Sequence, residues 1–431
     1  LYIRADFRTT RLVLHTLMAG VRMRRGALDG HQRVQRKWPD QLRLLKSLEG
    51  TDLAKLSDSE LQSHADRVLE ALGWWWWEVS WDAAVALAGE QFIGKLKVPN
   101  LADPSILFRG NESLLLEAER ALRHAATTGD VEPYLARFGH FVESADPIHP
   151  TLRESPDLLA QHLAVIQHSR TDPDERLLRT RHERTEAESV VRALRGPRGF
   201  LARRLLAAGQ SYAAHVDDAV FHFQRLLALS RASFLQAGLR LVGVRAVERA
   251  EDVFYLKRDE VWAIPSDNAS RVTRRRELRE RQRRLAPPPF IPPIADPIWA
   301  SDRMWRLMSS AVGATALRRG AQERDGRRIL VGTPGAPGRA RGIARVIAGP
   351  VDFHRFHPGD VLVAHSTMPI WTPLFNIASA AVTEVGGPFS HASIVAREFG
   401  IPLVNGALDA TRVIEDGMSI VVDGSTGTVE L

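Results

Sequence analysis

One histidine lies at a predicted transition from a strand to a helix. His391 follows Gly386, Gly387 and Ser390 and precedes an apolar segment that ends at Gly400. Glycine allows positive φ and lets a ligand approach backbone N–H groups closely, and serine is a preferred helix N-cap. The pattern therefore predicts a strand, a glycine turn and a helix that carries the imidazole in its first turn.

The first turn of a helix can support phosphoryl chemistry. It presents N–H groups without intrahelical partners and the positive end of the helix dipole, which favours a bound anion and a neutral imidazole. A neutral imidazole can attack phosphorus as a nucleophile. We expect Thr383 to add a hydroxyl donor and Arg397 to support charge. A histidine that only caps its own helix fits the local sequence equally well, so both interpretations remain open at this point.

Short strands and turns surround His391. Segments typical of strands are "RGIARVIAG" and "GDVLVAHS", then "SAAVTE" just before the glycine turn, and "SIVVDGSTGTVEL" at the end of the chain. Their runs of β-branched residues between glycine-rich turns indicate short, mostly buried strands. The sequence predicts a compact α/β domain over residues 330–431.

The preceding part of the chain has helical periodicity. Ser57 with Glu60 three residues later is a capping-box pattern, and Ser155 followed by Pro156 is another helix start. A proline-rich stretch then excludes a regular helix at 285–297. The predicted organisation is a helical domain at 1–285, a proline-rich connector with a short helix at 286–329, and the α/β domain at 330–431.

Four consecutive tryptophans occupy positions 74–77. On a helix they point in all directions, so at least one must be exposed or line a cavity. Packing against neighbouring helices is one interpretation. The other is that Trp74 and Trp77 form the wall of an aromatic ligand pocket.

Composition excludes several classes of function. The 431 residues contain no cysteine, which excludes disulfides, thiolate metal sites and a cysteine nucleophile, and fits a reducing compartment such as the cytoplasm. No apolar run reaches the ~20 residues of a membrane span. The net charge of +7 lies mostly in an arginine run at 271–284. We interpret that run as a solvated helix, because no interleaved aromatics indicate nucleic-acid binding.

Residues 383–406, "TEVGGPFSHASIVAREFGIPLVNG", resemble the phosphohistidine signature of phosphoenolpyruvate-utilising enzymes. That family includes phosphoenolpyruvate synthase, pyruvate phosphate dikinase, rifampin phosphotransferase and phenylphosphate synthase. The resemblance continues through "PGAPGRARGIARVI", "HPGDVLVAHSTMPIWTPLF" and "DGMSIVVDGSTGTVEL". It implies a β/β/α swivelling domain in which His391 carries a phosphoryl group between two active sites. The connector and the Gly/Pro-rich segment 331–342 are then expected to be hinge material.

The resemblance also implies roles for the residues around the histidine. His391 would be the nucleophile and carrier, and the phosphoryl-binding residues would be Thr383, Gly386, Gly387, Ser390 and Arg397.

The helical domain resembles, more weakly, the acceptor-binding domain of the rifampin phosphotransferase type. The similar segments are "YLARFGHFVESADPIHPTLRESPDLL" and "GLRLVGVRAVERAEDVFYLKRDEV". The fold class implied is a multidomain α plus α/β chain, with a mainly helical N-terminal acceptor-binding-like domain and a C-terminal swivelling domain. His140 or Asp217 would activate a small hydroxyl-bearing or enol acceptor, and Trp74 and Trp77 would wall its site.

Two departures qualify that expectation. No segment resembles the ATP-grasp domain that loads the histidine, so the phosphoryl donor is expected from an ATP-grasp partner in trans, with ATP or phosphoenolpyruvate and Mg²⁺ bound there. Val216 and Asp217 replace an Arg-Glu pair of the relatives, and a phosphate-binding arginine is thereby lost. We expect a phosphotransferase component with no metal or cofactor of its own, no membrane contact and no nucleic-acid partner. The alternative is a ligand-binding module that no longer transfers phosphate.

Overall fold

The structure is a computed structural model. It describes residues 37–96, 98–101, 103–169, 172–263, 267–283, 285, 322–324, 326–387 and 390–431. Of the predicted connector with its short helix at 286–329, residues 286–321 lie outside the described residues, and so does the side chain of Trp77. Its last residues belong to strands of the sheet.

Helices form the first part of the described chain. Residues 37–49 are helical. The helices that follow are Asp58–Lys95 (α1), Leu114–Thr128 (α2), Glu132–Phe138 (α3), Pro156–Gln167 (α4), Pro173–Ala193 (α5), Gly196–Gly243 (α6), Arg258–Ala263 (α7) and Asn268–Arg283 (α8). The longest of these, α6, is continuous over 48 residues. Within the described ranges, no helix is long and apolar enough to cross a bilayer.

The helix starts follow from local sequence. The Ser57 N–H donates to Glu60 Oε2 at 2.8 Å, and the Glu60 N–H donates to Ser57 Oγ at 3.3 Å, so the predicted capping box is confirmed. Pro156 is the first residue of α4, with Ser155 as its N-cap. A missing proline N–H costs nothing at that position because it would have no intrahelical acceptor.

The tryptophans divide between core and surface. Trp75 is fully buried among apolar side chains of α1, α6 and the helix at 37–49. Trp74 is half-buried and packs edge-on against it at 5.1 Å, whereas Trp76 is 57% exposed. Packing between helices therefore accounts for Trp75.

The arginine-rich helix α8 is held by ion pairs. Arg271 and Arg275 both pair with the buried Glu260, and Arg279 pairs with Asp146 at 2.6 Å. The solvated-helix interpretation therefore holds only for part of the run, because these guanidiniums attach α8 to neighbouring segments.

The second part of the chain is built on a sheet. Its strands are Gln322–Arg324 (β1), Arg327–Val331 (β2), Thr333–Ala336 (β3), Arg339–Ile347 (β4), Val361–Ala364 (β5), Ala380–Thr383 (β6), Leu403–Asn405 (β7), Ser419–Asp423 (β8) and Thr428–Glu430 (β9). The order is β1-β2-β9-β8-β4-β5-β6-β7-β3. Strands β4 to β7 are parallel, and the other pairs are antiparallel.

The two faces of the parallel strands bury different cores. Alternate residues point to opposite faces, so Leu362 and Ala381 join one apolar cluster and Val363 and Val382 join another. The first cluster includes the helices Thr372–Ile377 (α9) and His391–Phe399 (α10) and also residues of α2, α3 and α4. The second includes the helix Ala410–Val413 (α11). The helical part thus packs on the face that carries His391.

The prediction that residues 331–342 form a hinge is wrong. This segment holds β3 and the start of β4, both paired within the sheet. Its composition indicated a loop, but Pro334 lies in an edge strand, where a proline costs little because no second neighbour needs its N–H.

Candidate functional site

His391 is positioned by the predicted strand, turn and helix. Strand β6 ends at Thr383, Gly386 adopts a φ of 142°, and α10 begins at His391 with Ser390 as its N-cap. Ser390 Oγ accepts from the Ser393 N–H at 3.4 Å. The helix ends at Gly400, whose φ of 70° is left-handed. The local structure therefore confirms the prediction from sequence, although Gly387 itself needs no positive φ.

The imidazole of His391 lies between two threonines. Its Nδ1 is 3.0 Å from Thr367 Oγ1, and its Nε2 is 3.2 Å from Thr372 Oγ1. The Phe375 ring meets it edge-on at 6.1 Å. Burial lowers the pKa of His391 to about 3, because an imidazolium would lose its hydration. The ring is therefore neutral at physiological pH and is held in a defined orientation.

Sequence reasoning missed both threonines. They stand 24 and 19 residues before His391, in the loop after β5 and at the start of α9. Their contact depends on β5 and β6 being parallel neighbours, which brings the carboxyl ends of both strands to one edge. The segment "HSTMPIWTPLF" that contains them resembles a family motif, and this was the available signal.

The predicted phosphoryl-binding residues are brought together only in part. Gly386, Gly387 and Ser390 lie in the turn that leads into His391. Thr383 is fully buried, and its hydroxyl donates to Asn405 Oδ1 at 2.7 Å. Its only hydroxyl proton is therefore engaged beneath the turn.

Arg397 lies at the opposite end of α10 from His391. Its Nε donates to the Gly335 carbonyl at 2.8 Å, and its Nη1 is 3.3 Å from Glu90 of α1. Burial raises the pKa of Glu90, and the guanidinium opposes that rise. In this arrangement Arg397 connects α10 to the helical part.

The next two residues of α10 extend the same interface. The Gly110 N–H donates to Glu398 Oε1 at 3.0 Å. The Arg176 guanidinium lies 3.9 Å from the centre of the Phe399 ring, within the range of a cation–π contact. The helix that bears His391 is thus docked on the helical part through its last turn.

Asp217 lies on α6 at this interface. It lines a small cavity together with Thr372 and Glu398. Burial, followed by the nearby Glu398 and Asp218 carboxylates, raises the pKa of Asp217 to about 7, and a hydrogen bond with Ser113 opposes the rise. Thr372 also contacts His391, so this acceptor-site candidate lines the same cavity as a side chain that touches the imidazole.

His140 lines a separate cavity of about 650 Å³ in the helical part. Burial and then the positive charge of Arg225 lower the pKa of His140 to about 3. Its Nε2 is buried and has no hydrogen-bond partner among the described residues. The backbone of Arg137 accepts a hydrogen bond from the ring, which leaves Nε2 as the unprotonated nitrogen.

A second histidine of that cavity was not predicted. His222 also lines it, and its Nδ1 accepts a hydrogen bond from Arg225 Nη1 at 3.1 Å. Burial and Arg225 lower the pKa of His222 to about 4. Trp74 is not part of this lining.

The described residues contain no cluster of three or more histidine, aspartate or glutamate side chains that could hold a metal ion. Two carboxylates, Asp217 and Glu398, do lie near each other at the docking interface. Glu398 also faces the arginines Arg109, Arg176 and Arg184.

Comparisons with known proteins agree with this geometry. Residues 356–427 match the family model of the PEP-utilising enzyme, mobile domain. The rifampicin phosphotransferase of a Streptomyces species is 31% identical over 313 residues, which is 70% of this chain and 34% of that protein. The uncharacterised phosphotransferase YvkC of Bacillus subtilis is 34% identical over 218 residues, 49% of this chain and 25% of that protein.

A third relative matches about a quarter of the chain. A probable phosphoenolpyruvate synthase of Staphylothermus marinus is 47% identical over 105 residues, 24% of this chain and 13% of that protein. This chain spans about a third or less of the length of the curated relatives it matches.

The sheet, the glycine turn and the partly buried His391 lie in or beside the segment that matches this family model. Residues 356–427 belong to the mobile-domain family of PEP-utilising enzymes, and phosphotransferases are among the relatives of the chain.

Proposed function

We propose that this chain is a phosphotransferase component in which His391 accepts a phosphoryl group and delivers it to a small molecule bound by the helical part. One observation carries the proposal. A neutral imidazole stands in the first turn of α10, and that helix is docked on a helical part with a cavity of about 650 Å³.

The chemistry needs two displacements. In the first, a ring nitrogen of His391 attacks phosphorus, the P–N bond forms and the bond to the donor's leaving oxygen breaks. In the second, an acceptor oxygen attacks, the P–N bond breaks and the imidazole returns to its neutral form. Thr367 and Thr372 orient the ring in the unloaded state. The first-turn N–H groups of α10 and the turn at Gly386 and Gly387 offer donors for the phosphoryl oxygens.

The large cavity of the helical part is the proposed acceptor site. Its volume falls within the ~300–1,000 Å³ typical of small-molecule sites. His140 offers an unprotonated, unpartnered Nε2 that can accept a proton from an acceptor hydroxyl. Asp217 is the second candidate base, because its raised pKa keeps proton exchange available near neutral pH.

The loading reaction is proposed to occur on an ATP-grasp domain in trans. ATP or phosphoenolpyruvate, with Mg²⁺, would bind to that domain, and the reaction would take place in the cytoplasm, where both donors are made. The resemblance of residues 383–406 to the phosphohistidine signature supports this arrangement. So does the match of residues 356–427 to a mobile domain.

A ligand-binding module without transfer is the second candidate. It is favoured by Val216, which is 2% exposed and packs in the interior, at the position where the resemblance to the rifampin phosphotransferase type implies a phosphate-binding arginine. It is also favoured by His391 itself, because both of its ring nitrogens face threonine hydroxyls.

Labelling separates the two candidates. The protein is incubated with the ATP-grasp domain of a phosphoenolpyruvate synthase and β- or γ-labelled ATP, beside His391→Ala and the control His354→Ala, an exposed histidine of the same domain. Transfer predicts acid-labile, base-stable label on the wild type and His354→Ala alone. An unlabelled wild type, with the donor domain active on its own carrier, would leave ligand binding as the function.

A further inference from the structure

A buried polar network lies beneath the glycine turn. Thr383, Ser393 and Asn405 are each fully buried in a domain whose interior is otherwise mostly apolar. Buried polar groups destabilise a fold unless they are hydrogen-bonded, and a fully bonded network fixes one geometry. These three side chains come from β6, α10 and β7, the elements that surround His391.

The hydrogen bonds of the network converge on Gly387. Thr383 Oγ1 donates to Asn405 Oδ1 at 2.7 Å, and Asn405 Nδ2 donates to Ser393 Oγ and, at 3.2 Å, to the Gly387 carbonyl. Ser393 Oγ donates to the same carbonyl at 2.8 Å, and the Ser390 N–H donates to it at 2.9 Å. One carbonyl oxygen thus accepts from three donors.

The turn is also packed directly on Asn405. A Cβ atom placed on Gly386 would lie 3.1 Å from Asn405 Oδ1 and 2.9 Å from Ser390 Oγ. The backbone of the turn therefore has no space to move toward the core. Its position relative to the first turn of α10 is set by the side chains of Ser390, Ser393 and Asn405.

We infer that Asn405 is a positioning residue for the loading of His391. It joins β6, the glycine turn and α10 into one unit, so that the N–H donors and the imidazole keep a fixed relation while phosphorus is transferred. The inference rests on the proposed function. A displacement of about 1 Å can reduce the rate of an enzymatic step ~100-fold, which sets the scale of the expected effect.

The test uses phosphoramidate, a small phosphoryl donor, so that no partner protein is needed. The His391 ring nitrogen attacks phosphorus, the P–N bond of phosphoramidate breaks and ammonia leaves. The rate of phosphohistidine formation is measured by intact mass on the full chain, well below the midpoint of thermal unfolding. The variants are Asn405→Leu and the triple variant Thr383→Val/Ser393→Ala/Asn405→Leu. The matched control is Asn268→Leu, a buried asparagine of α8.

The triple variant separates positioning from stability. Replacing all hydrogen-bonding partners by apolar groups of similar shape can be nearly neutral for stability. We expect its unfolding midpoint to recover relative to Asn405→Leu, while loading in both stays about 10- to 100-fold slower than in the wild type. Asn268→Leu should load at the wild-type rate.

Two results would overturn the inference in distinguishable ways. If the triple variant loads as fast as the wild type, the network serves stability alone and Asn405 positions nothing. If the wild type takes no phosphoryl group at His391 while free imidazole does under the same conditions, the proposed function fails, and the role of Asn405 fails with it.

Discussion

Asp217 makes the docked state sensitive to pH. Burial and the Glu398 carboxylate of α10 raise its pKa from 3.8 to about 7. Glu398 in turn faces Arg109, Arg176 and Arg184, whose charges oppose the rise that burial causes in its own pKa. No cation of the described residues opposes the raised pKa of Asp217 in this way, so ionisation of Asp217 destabilises the docked state more than ionisation of Glu398 does.

The size and sign of the effect follow from proton linkage. Between about pH 4 and pH 7 the folded state binds a proton at Asp217 that the unfolded state has released, so stability falls as pH rises through this range. Above pH 7 Asp217 is ionised in both states, and the loss of folding free energy that it causes is complete. At ~1.4 kcal/mol per tenfold change in the dissociation constant it reaches up to ~4 kcal/mol. Release of α10 from the helical part would relieve part of it, so we expect about 2–4 kcal/mol.

The perturbation that isolates this effect is Asp217→Asn, which keeps the shape and removes the charge. Urea unfolding of the variant and the wild type is compared at pH 5 and pH 8, with Glu183→Gln, an exposed glutamate of α5, as the control. The variant should gain about 2–4 kcal/mol at pH 8 and less than half of that at pH 5, where only part of the window between the two pKa values has been passed. An equal gain at both pH values, or none at pH 8, would refute the reasoning.

Three further outcomes are expected. Trp75→Ala should reduce the free energy of unfolding by about 3–5 kcal/mol because it leaves a cavity. Trp76→Ala should change it by less than ~0.5 kcal/mol. Equal losses would contradict the burial assigned to the two side chains. Arg397→Met leaves Glu90 buried without this guanidinium and should cost about 3 kcal/mol in urea unfolding, most of it recovered when Glu90→Leu is added. Gly386→Ala forces a side chain into a φ of 142° and should slow loading of His391 at least ~10-fold; an unchanged rate would show that the turn is not critical.

The elements around His391 were predictable from sequence because their signals are local. Two glycines, an N-cap serine and a terminal Gly400 predict a turn and a helix whatever the rest of the chain does. The same is true of β5 and β6, whose short apolar runs are bounded by turn residues. The pairing of those strands follows from the resemblance to the family and not from their composition.

The remaining features depend on contacts between distant segments. Thr367 and Thr372 reach His391 only because two parallel strands end at the same edge, and the network at Asn405 joins residues 22 positions apart along the chain. Arg397 looked like charge support because it shares a helix with His391, yet it lies at the other end and faces Glu90. The segment 331–342 looked like a hinge because the pattern of glycine and proline does not distinguish a loop from an edge strand.

The most direct test of the account is to locate the phosphoryl group. The wild-type chain is reacted with labelled ATP and an ATP-grasp donor domain, digested at alkaline pH, and mapped by tandem mass spectrometry under conditions that preserve phosphohistidine. The account predicts one phosphoryl group, on His391, that is lost in acid and absent from His391→Ala. A phosphoryl group on another residue, or none while the donor domain remains active on its own carrier, would contradict it.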